Sequence, residues 1–163
     1  MSTSMDQRID YSKEAPGAMT AMRALEEYVQ QAGLDPGLLD LIKTRASEIN
    51  GCAYCVDMHT KDARVRGESE QRLYALGVWR ETPFYTELER AALAWTEAVT
   101  LISDGPVPEA VYNEARQYFS AKQLVDLTIA VIAINGWNRL SVSFRTVPGT
   151  YRTAPRGQEQ KTQ

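Results

Sequence analysis

The sequence predicts an all-α protein, a single compact domain of six to eight helices. Three observations carry that expectation. Apolar residues recur at spacings of three and four through most of the 163-residue chain. Helix start and stop signals bracket those stretches. No run of strand-like alternation bounded by turns interrupts them, residues 142–147 being the one ambiguous stretch.

The elements follow in order. Residues 18–31 carry Met19, Met22, Leu25 and Val29 as one apolar stripe, with Gly33 as a stop. Asp35-Pro36 opens a second helix, Asp as N-cap and Pro at the first helical position. Its apolar residues are Leu38, Leu39, Leu41, Ile42 and Ile49, and Asn50-Gly51 closes it. A third helix is expected from about Cys52 to Arg66, closed by Gly67. A short fourth runs over residues 70–76. Thr86 and Glu89 form a capping-box pattern that opens a helix carrying Leu88, Ala91, Leu93, Trp95, Ala98 and Leu101. Residues 105–108 are a loop and 109–119 a helix. Ser120 and Gln123 form a second capping box, opening a long apolar helix through Leu140. Residues 1–15 read as a flexible N-terminal segment, 16–147 as the helical domain and 148–163 as a polar C-terminal tail.

Composition narrows the function classes. The chain is long enough for one domain with a real core, and 44% apolar with 24% charged residues is an ordinary globular balance. A net charge of −3 lacks the basic excess of a dedicated nucleic-acid binder. The longest apolar run, residues 127–134, falls short of the roughly 20 residues that a membrane span needs. The first ten residues hold no apolar stretch of the secretory kind, so a cytoplasmic location is expected, where thiols stay reduced unless they carry redox chemistry. Residues 124–134 are apolar nearly all round, which predicts a helix central to the core or buried at a subunit contact, and points towards oligomerisation.

Chemistry concentrates in one segment. Both cysteines of the chain and its one histidine, Cys52, Cys55 and His59, fall within eight residues. On a helix these offsets of three, four and seven share one face. Cys52 lies at the helix N-terminus, where free N–H groups and the positive dipole end favour a thiolate. The offset of three lets the sulfurs close a small disulfide, and His59 can shuttle a proton. Two blander readings compete. The cysteines can be buried small apolar residues. They can hold zinc, but a structural site wants four ligands and the chain has no second Cys or His to complete it. No metal or cofactor is therefore expected. For a partner carboxylate, Asp40 sits inside an apolar run, Glu48 lies four residues before Cys52, and Asp57 points off the Cys/His face.

These residues resemble a known family. Ser47, Asn50, Cys52, Tyr54, Cys55 and His59 reproduce a Ser-x-x-Asn-x-Cys-x-Tyr-Cys-x-x-x-His core similar to that of the alkylhydroperoxidase AhpD-like proteins, in the carboxymuconolactone decarboxylase family. Residues 86–94 and 134–140 also fit, so the resemblance spans about residues 35–145. It implies an all-helical fold, homo-oligomers (trimers or hexamers), and thiol peroxidase or disulfide reductase activity. It also implies a carboxylate twelve residues before the first cysteine that joins the histidine in a proton relay through water. That position holds Asp40, one methylene shorter than the family's glutamate, and Glu48 stands as the alternative. The decarboxylase branch lacks the paired cysteines, so Cys52 and Cys55 argue for the peroxidase-like branch.

The expected activity is reduction of a hydroperoxide through the Cys52/Cys55 pair. An external dithiol, a lipoyl group or a thioredoxin-like protein, would then reopen the disulfide. The dipole argument favours Cys52 as attacker. Proximity to His59 favours Cys55, as does the resemblance, and the reading assigns Cys55 as attacker and Cys52 as resolver. Two rivals remain: a decarboxylase-like lyase with His59 as base, and a non-enzymatic redox-sensing oligomer. Trp79, Trp95 and Trp137 read as core or interface aromatics. Met58 is a possible wall for a peroxide's alkyl group, and Tyr54 a packing residue able to donate to substrate. Asn138 and Arg139 read as either a subunit contact or a solvated helix end.

Overall fold

The computed structural model describes residues 6–153, and within them the chain is helical with no strand. Eight α-helices follow in order among the described residues: α1 (Tyr11–Glu14), α2 (Pro16–Gln31), α3 (Pro36–Ile49), α4 (Ala53–Arg66), α5 (Glu70–Tyr74), α6 (Glu87–Thr100), α7 (Glu109–Tyr118) and α8 (Ala121–Phe144). Two 3₁₀ segments, Leu76–Glu81 and Ile102–Asp104, link α5 to α6 and α6 to α7. The sequence pattern shows neither of these segments, nor the single turn α1, because pieces this short present no stripe to read.

The boundaries follow the local signals. Asp35 caps α3 by accepting from the Leu38 N–H at 2.9 Å. Thr86 and Ser120 each form both halves of a capping box, with Glu89 and Gln123 reaching back to the cap N–H. Gly51 and Gly67 adopt positive φ, 66° and 103°, and let the chain leave α3 and α4 sharply. The ambiguous residues 142–144 continue α8, which ends at Arg145 in the left-handed region, φ 54°.

Helix α3 is the centre of the packing, with α4, α6 and α8 around it, α2 laid on α8 and α7 on α6. One apolar cluster joins Leu38, Leu39, Ile42, Trp95, Leu127 and Val131. A second gathers Leu41, Leu73, Leu76, Trp79 and Leu93. A third, small one is built on the cysteines: Ala46, Cys52, Cys55 and Ile134, with Tyr54 and Trp137 against it. The long apolar helix thus serves as a core element through Leu127, Ala130, Val131 and Ile134, while Val125 and Ile132 on its other side stay exposed.

Residues 6–15 pack against the end of α8 and the first residues after it. The Arg8 N–H donates to the Phe144 carbonyl at 2.9 Å. The Tyr11 hydroxyl lies 3.4 Å from the Ser141 and Thr146 hydroxyls. The rest of the N-terminal segment and of the polar tail, residues 1–5 and 154–163, falls outside the described residues. No helix among the described residues is long and apolar enough to cross a membrane.

Candidate active site

Cys52 is the N-cap of α4, and its Sγ accepts from the Cys55 N–H at 3.3 Å. The turn that delivers it is closed by the Cys52 N–H donating to the Ser47 carbonyl at 2.9 Å. With Cα atoms 5.3 Å apart, the two sulfurs are joined as a disulfide. Both residues are only 2% exposed, and Tyr54 between them divides two cavities. Cys52 faces a small one of about 180 Å³, lined also by Val142, Arg145 and Thr146. Cys55 faces a larger one of about 400 Å³.

The larger cavity gathers the chemistry. His59 and Asp40 line it with Cys55, so α4 and α3 together supply the sulfur, the imidazole and the carboxyl. Met19, Met58, Trp137 and Tyr54 form apolar wall, and Tyr11 and Tyr151 reach it from the two chain ends. Burial drives the His59 pKa down to about 3, helped by the nearby Lys43 and Arg66 cations, so the ring is neutral at physiological pH. Burial drives Asp40 up to about 6 against the pull of Arg66. The Arg66 Nη1 stands 3.5 Å from Asp40 Oδ2, beyond hydrogen-bond length. That oxygen is buried with no hydrogen-bond partner among the described residues. A neutral imidazole and a carboxyl poised near neutrality thus share one cavity with a sulfur, the combination that proton transfer at a thiol needs.

Glu48 is not brought to this site. Eight residues beyond Asp40, it is rotated about 80° around α3. It pairs there with Arg45 at 2.9 Å, while Arg45 Nε holds Glu97 at 2.8 Å. Asp57 is also elsewhere, as its offset predicts. It holds Lys61 at 2.8 Å and accepts from the Gly149 N–H at 3.0 Å.

Several cavity residues escape the sequence reading. Lys43 is buried one turn after Asp40 on the same face of α3, its Nζ 2.5 Å from Glu26 Oε2 of α2. A second charge inside the apolar run that holds Asp40 is the signal that could have found it. Arg66 and Tyr151 carry no such signal. Tyr151 is placed by donating to Asp62 Oδ1 at 2.8 Å. Asn138 is neither a subunit contact nor a solvated helix end, because it is fully buried. Its amide donates to Ser47 Oγ at 3.0 Å, and its oxygen accepts from the Asn50 amide at 2.9 Å. Ser47 Oγ donates in turn to the Lys43 carbonyl at 2.7 Å. This polar chain ties the end of α3 to α8 directly behind the disulfide.

An all-helical frame that presents a vicinal cysteine pair at a helix start, with a histidine one turn on, defines a class of thiol-bearing helical proteins. The model of the carboxymuconolactone decarboxylase family matches residues 16–98, and the chain belongs to that family, as an AhpD-like member. YdfG, an uncharacterised protein of Bacillus subtilis, is 44% identical over 139 residues, covering 85% of this chain and 95% of its own. YnjA of Escherichia coli, also uncharacterised, is 29% identical over 72% of this chain and 62% of its own. A crystal structure from Agrobacterium tumefaciens is 48% identical with a TM-score of 0.87, over 90% of this chain and 100% of that one. It is a protein of unknown function for which an AhpD-type role in antioxidant defence is suggested. The debrominase Bmp8 shares the fold at 19% identity and a TM-score of 0.73, over 85% of this chain and 74% of its own.

Proposed function

We propose that the protein is a thiol-dependent peroxidase. The observation that carries this reading is the Cys52–Cys55 bond whose Cys55 end lies in the wall of a cavity that also holds a neutral His59 and a near-neutral Asp40. His59 takes the Cys55 proton in the reduced protein. The Cys55 thiolate attacks the terminal oxygen of a hydroperoxide, and the O–O bond breaks. The proton passes from His59, or from protonated Asp40 by way of the ring, to the departing alkoxide, which leaves as alcohol (as water from hydrogen peroxide). Cys55 is now a sulfenic acid. The Cys52 sulfur attacks it, the S–O bond breaks, and the Cys52 proton leaves with hydroxide as water. An external dithiol, lipoyl or thioredoxin-like, supplies two electrons and reopens the bond. Such reductants belong to the cytoplasm, where the reading places the protein, and it takes the protein to be a homo-oligomer, trimer or hexamer.

The attacker is Cys55, because its cavity holds the histidine and the acid whereas the Cys52 cavity holds neither. In Cys52→Ser, one equivalent of cumene hydroperoxide leaves a sulfenic acid at Cys55 that dimedone traps, while Cys55→Ser loses turnover. A dimedone adduct at Cys52, with turnover kept in Cys55→Ser, reverses the assignment. No peroxide consumption by the reduced wild type ends the reading.

The neutrality of His59 also favours a second reading, a decarboxylase-like lyase with His59 as general base. Its activity survives alkylation of both thiols, whereas peroxidase turnover does not.

A further inference from the structure

Asp40 and Arg66 line two cavities at once. Beyond them, on the side away from Cys55, lies a second cavity of about 340 Å³, and no other residue lines both. Its walls are polar: Asp35, Glu68, Arg72 and Glu89, with Gly37 and Ala63 at the helix backbones. Arg72 is neutralised there by Glu68 at 2.9 Å and Glu89 at 2.6 Å. Asp40 and Arg66 therefore stand between the Cys55 cavity, whose lining mixes apolar side chains with charged ones, and a second cavity lined mainly by charged side chains. Arg66, whose side chain is 49% exposed, approaches the orphaned Asp40 Oδ2 loosely, at 3.5 Å.

We propose that the second cavity is the route by which Asp40 exchanges protons with solvent, and that Arg66 is the positioning residue that holds Asp40 between the two chambers. The proposal rests on the peroxidase reading for its place in the cycle. Oxidation moves protons internally, from Cys55 to the alkoxide and from Cys52 to the hydroxide. Reduction does not. The first sulfur of the external dithiol attacks as a thiolate and breaks the S–S bond to give a mixed disulfide and one cysteine thiolate; its second thiolate then displaces the other cysteine, and the two cysteine thiolates take up from solvent the two protons that the dithiol gave up to it. A reductant that reaches the disulfide through the Cys55 cavity occupies the side of Asp40 facing His59, and the second cavity adjoins Asp40 on the side that reductant does not enter.

The groups facing Asp40 are Asp35 and Lys43 on its own helix, and His59, Asp62 and Arg66 on α4. From α2 come Glu26, bound to Lys43, and Arg23. The Arg72–Glu68–Glu89 group closes the far side. Among these, the Arg66 cation is the largest influence opposing the upward push of burial on Asp40.

The test uses the full chain, reduced. The infrared carbonyl stretch of protonated Asp40, identified by its loss in Asp40→Asn, gives the titration midpoint. Arg66→Met raises that midpoint by about one pH unit and Arg66→Lys recovers most of the rise. An unmoved midpoint in Arg66→Met overturns the positioning role. Gly37→Leu places a side chain in the second cavity one turn before Asp40; its Cβ meets Asp35 Oδ1 at 3.1 Å, which must give slightly. Steady-state kcat with cumene hydroperoxide and dithiothreitol falls several-fold, while single-turnover oxidation by a peroxide pulse is unchanged. Equal slowing of both, or of neither, overturns the route. If wild type consumes no peroxide, the peroxidase reading fails and the infrared comparison still decides the role of Arg66.

Discussion

Asp40 and His59 are displaced in opposite senses by the same cause, since burial penalises whichever form is charged. The consequences for stability have opposite signs. The Asp40 pKa rises from 3.8 to about 6, so the native state binds a proton more tightly than the unfolded chain. Its contribution is full below about pH 4 and is lost as pH rises through 6, a loss on the order of 3 kcal/mol. His59 is the reverse: its pKa falls from 6.5 to about 3, so its contribution is full above 6.5 and is lost as pH falls towards 3. Between pH 4 and 6 the two partly cancel, and a wild-type curve alone hides both. Asp40→Asn separates them. Denaturant titrations at pH 4 and pH 8 show the variant gaining on wild type by roughly 2–3 kcal/mol at the higher pH. Equal differences at both pH values contradict the assignment. On the proposed peroxidase reading the same variant loses the proton relay, and its peroxide turnover at neutral pH falls about 10²-fold or more. The carboxamide keeps the shape of the acid, so the loss reads chemistry and not packing.

Among the elements, the start of α4 carries most weight, because one turn sets both the helix cap and the reactive sulfur. Gly51 turns the chain into it at φ 66°. No atom beyond its chain neighbours lies within 4 Å of where a Cβ would stand, so Gly51→Ala costs backbone strain alone, about 1 kcal/mol. Its thermal midpoint drops by roughly 2–4 °C. The strain falls on the turn that places Cys52, so the disulfide also closes more slowly after a peroxide pulse; an unchanged closure rate means the turn does not position the sulfur. A contrast is available at α6. Thr86→Ala removes a complete capping box that lines neither cysteine cavity and costs about 1 kcal/mol by calorimetry, with closure unaffected. Both elements were legible in the sequence, Asn50-Gly51 as a stop and Thr86 with Glu89 as a start, because a cap is decided by residues within one turn. The 3₁₀ segment Leu76–Glu81 was not, because Leu76 and Trp79 are held by the core beneath them and not by any local pattern.

On the scale of the whole molecule, α8 is apolar on two sides and the monomer covers one. Val125 and Ile132 are 59% and 50% exposed. Asn135 donates to Thr100 at 3.1 Å, which sets the end of α6, with exposed Leu101 and Ile102, beside this face. A homo-oligomer that buries it is the expected assembly. Light scattering reports a mass of three or six chains for wild type and a smaller one for Ile132→Asp. A monomeric wild type removes the expectation.

The spacing of Cys52, Cys55 and His59 along one helix, and the caps around it, were written into the sequence, since contacts within a turn or two depend on residue order alone. The family resemblance added Asp40 to that set. Through-space convergence was decided only in three dimensions. The packing of α3 against α4 chose Asp40 over Glu48 and added Lys43. The return of the chain after α8 brought Tyr151, and α4 turned Arg66 onto the acid. Local order fixes which side chains share a helix face, but which face meets which is settled by the burial of several helices at once.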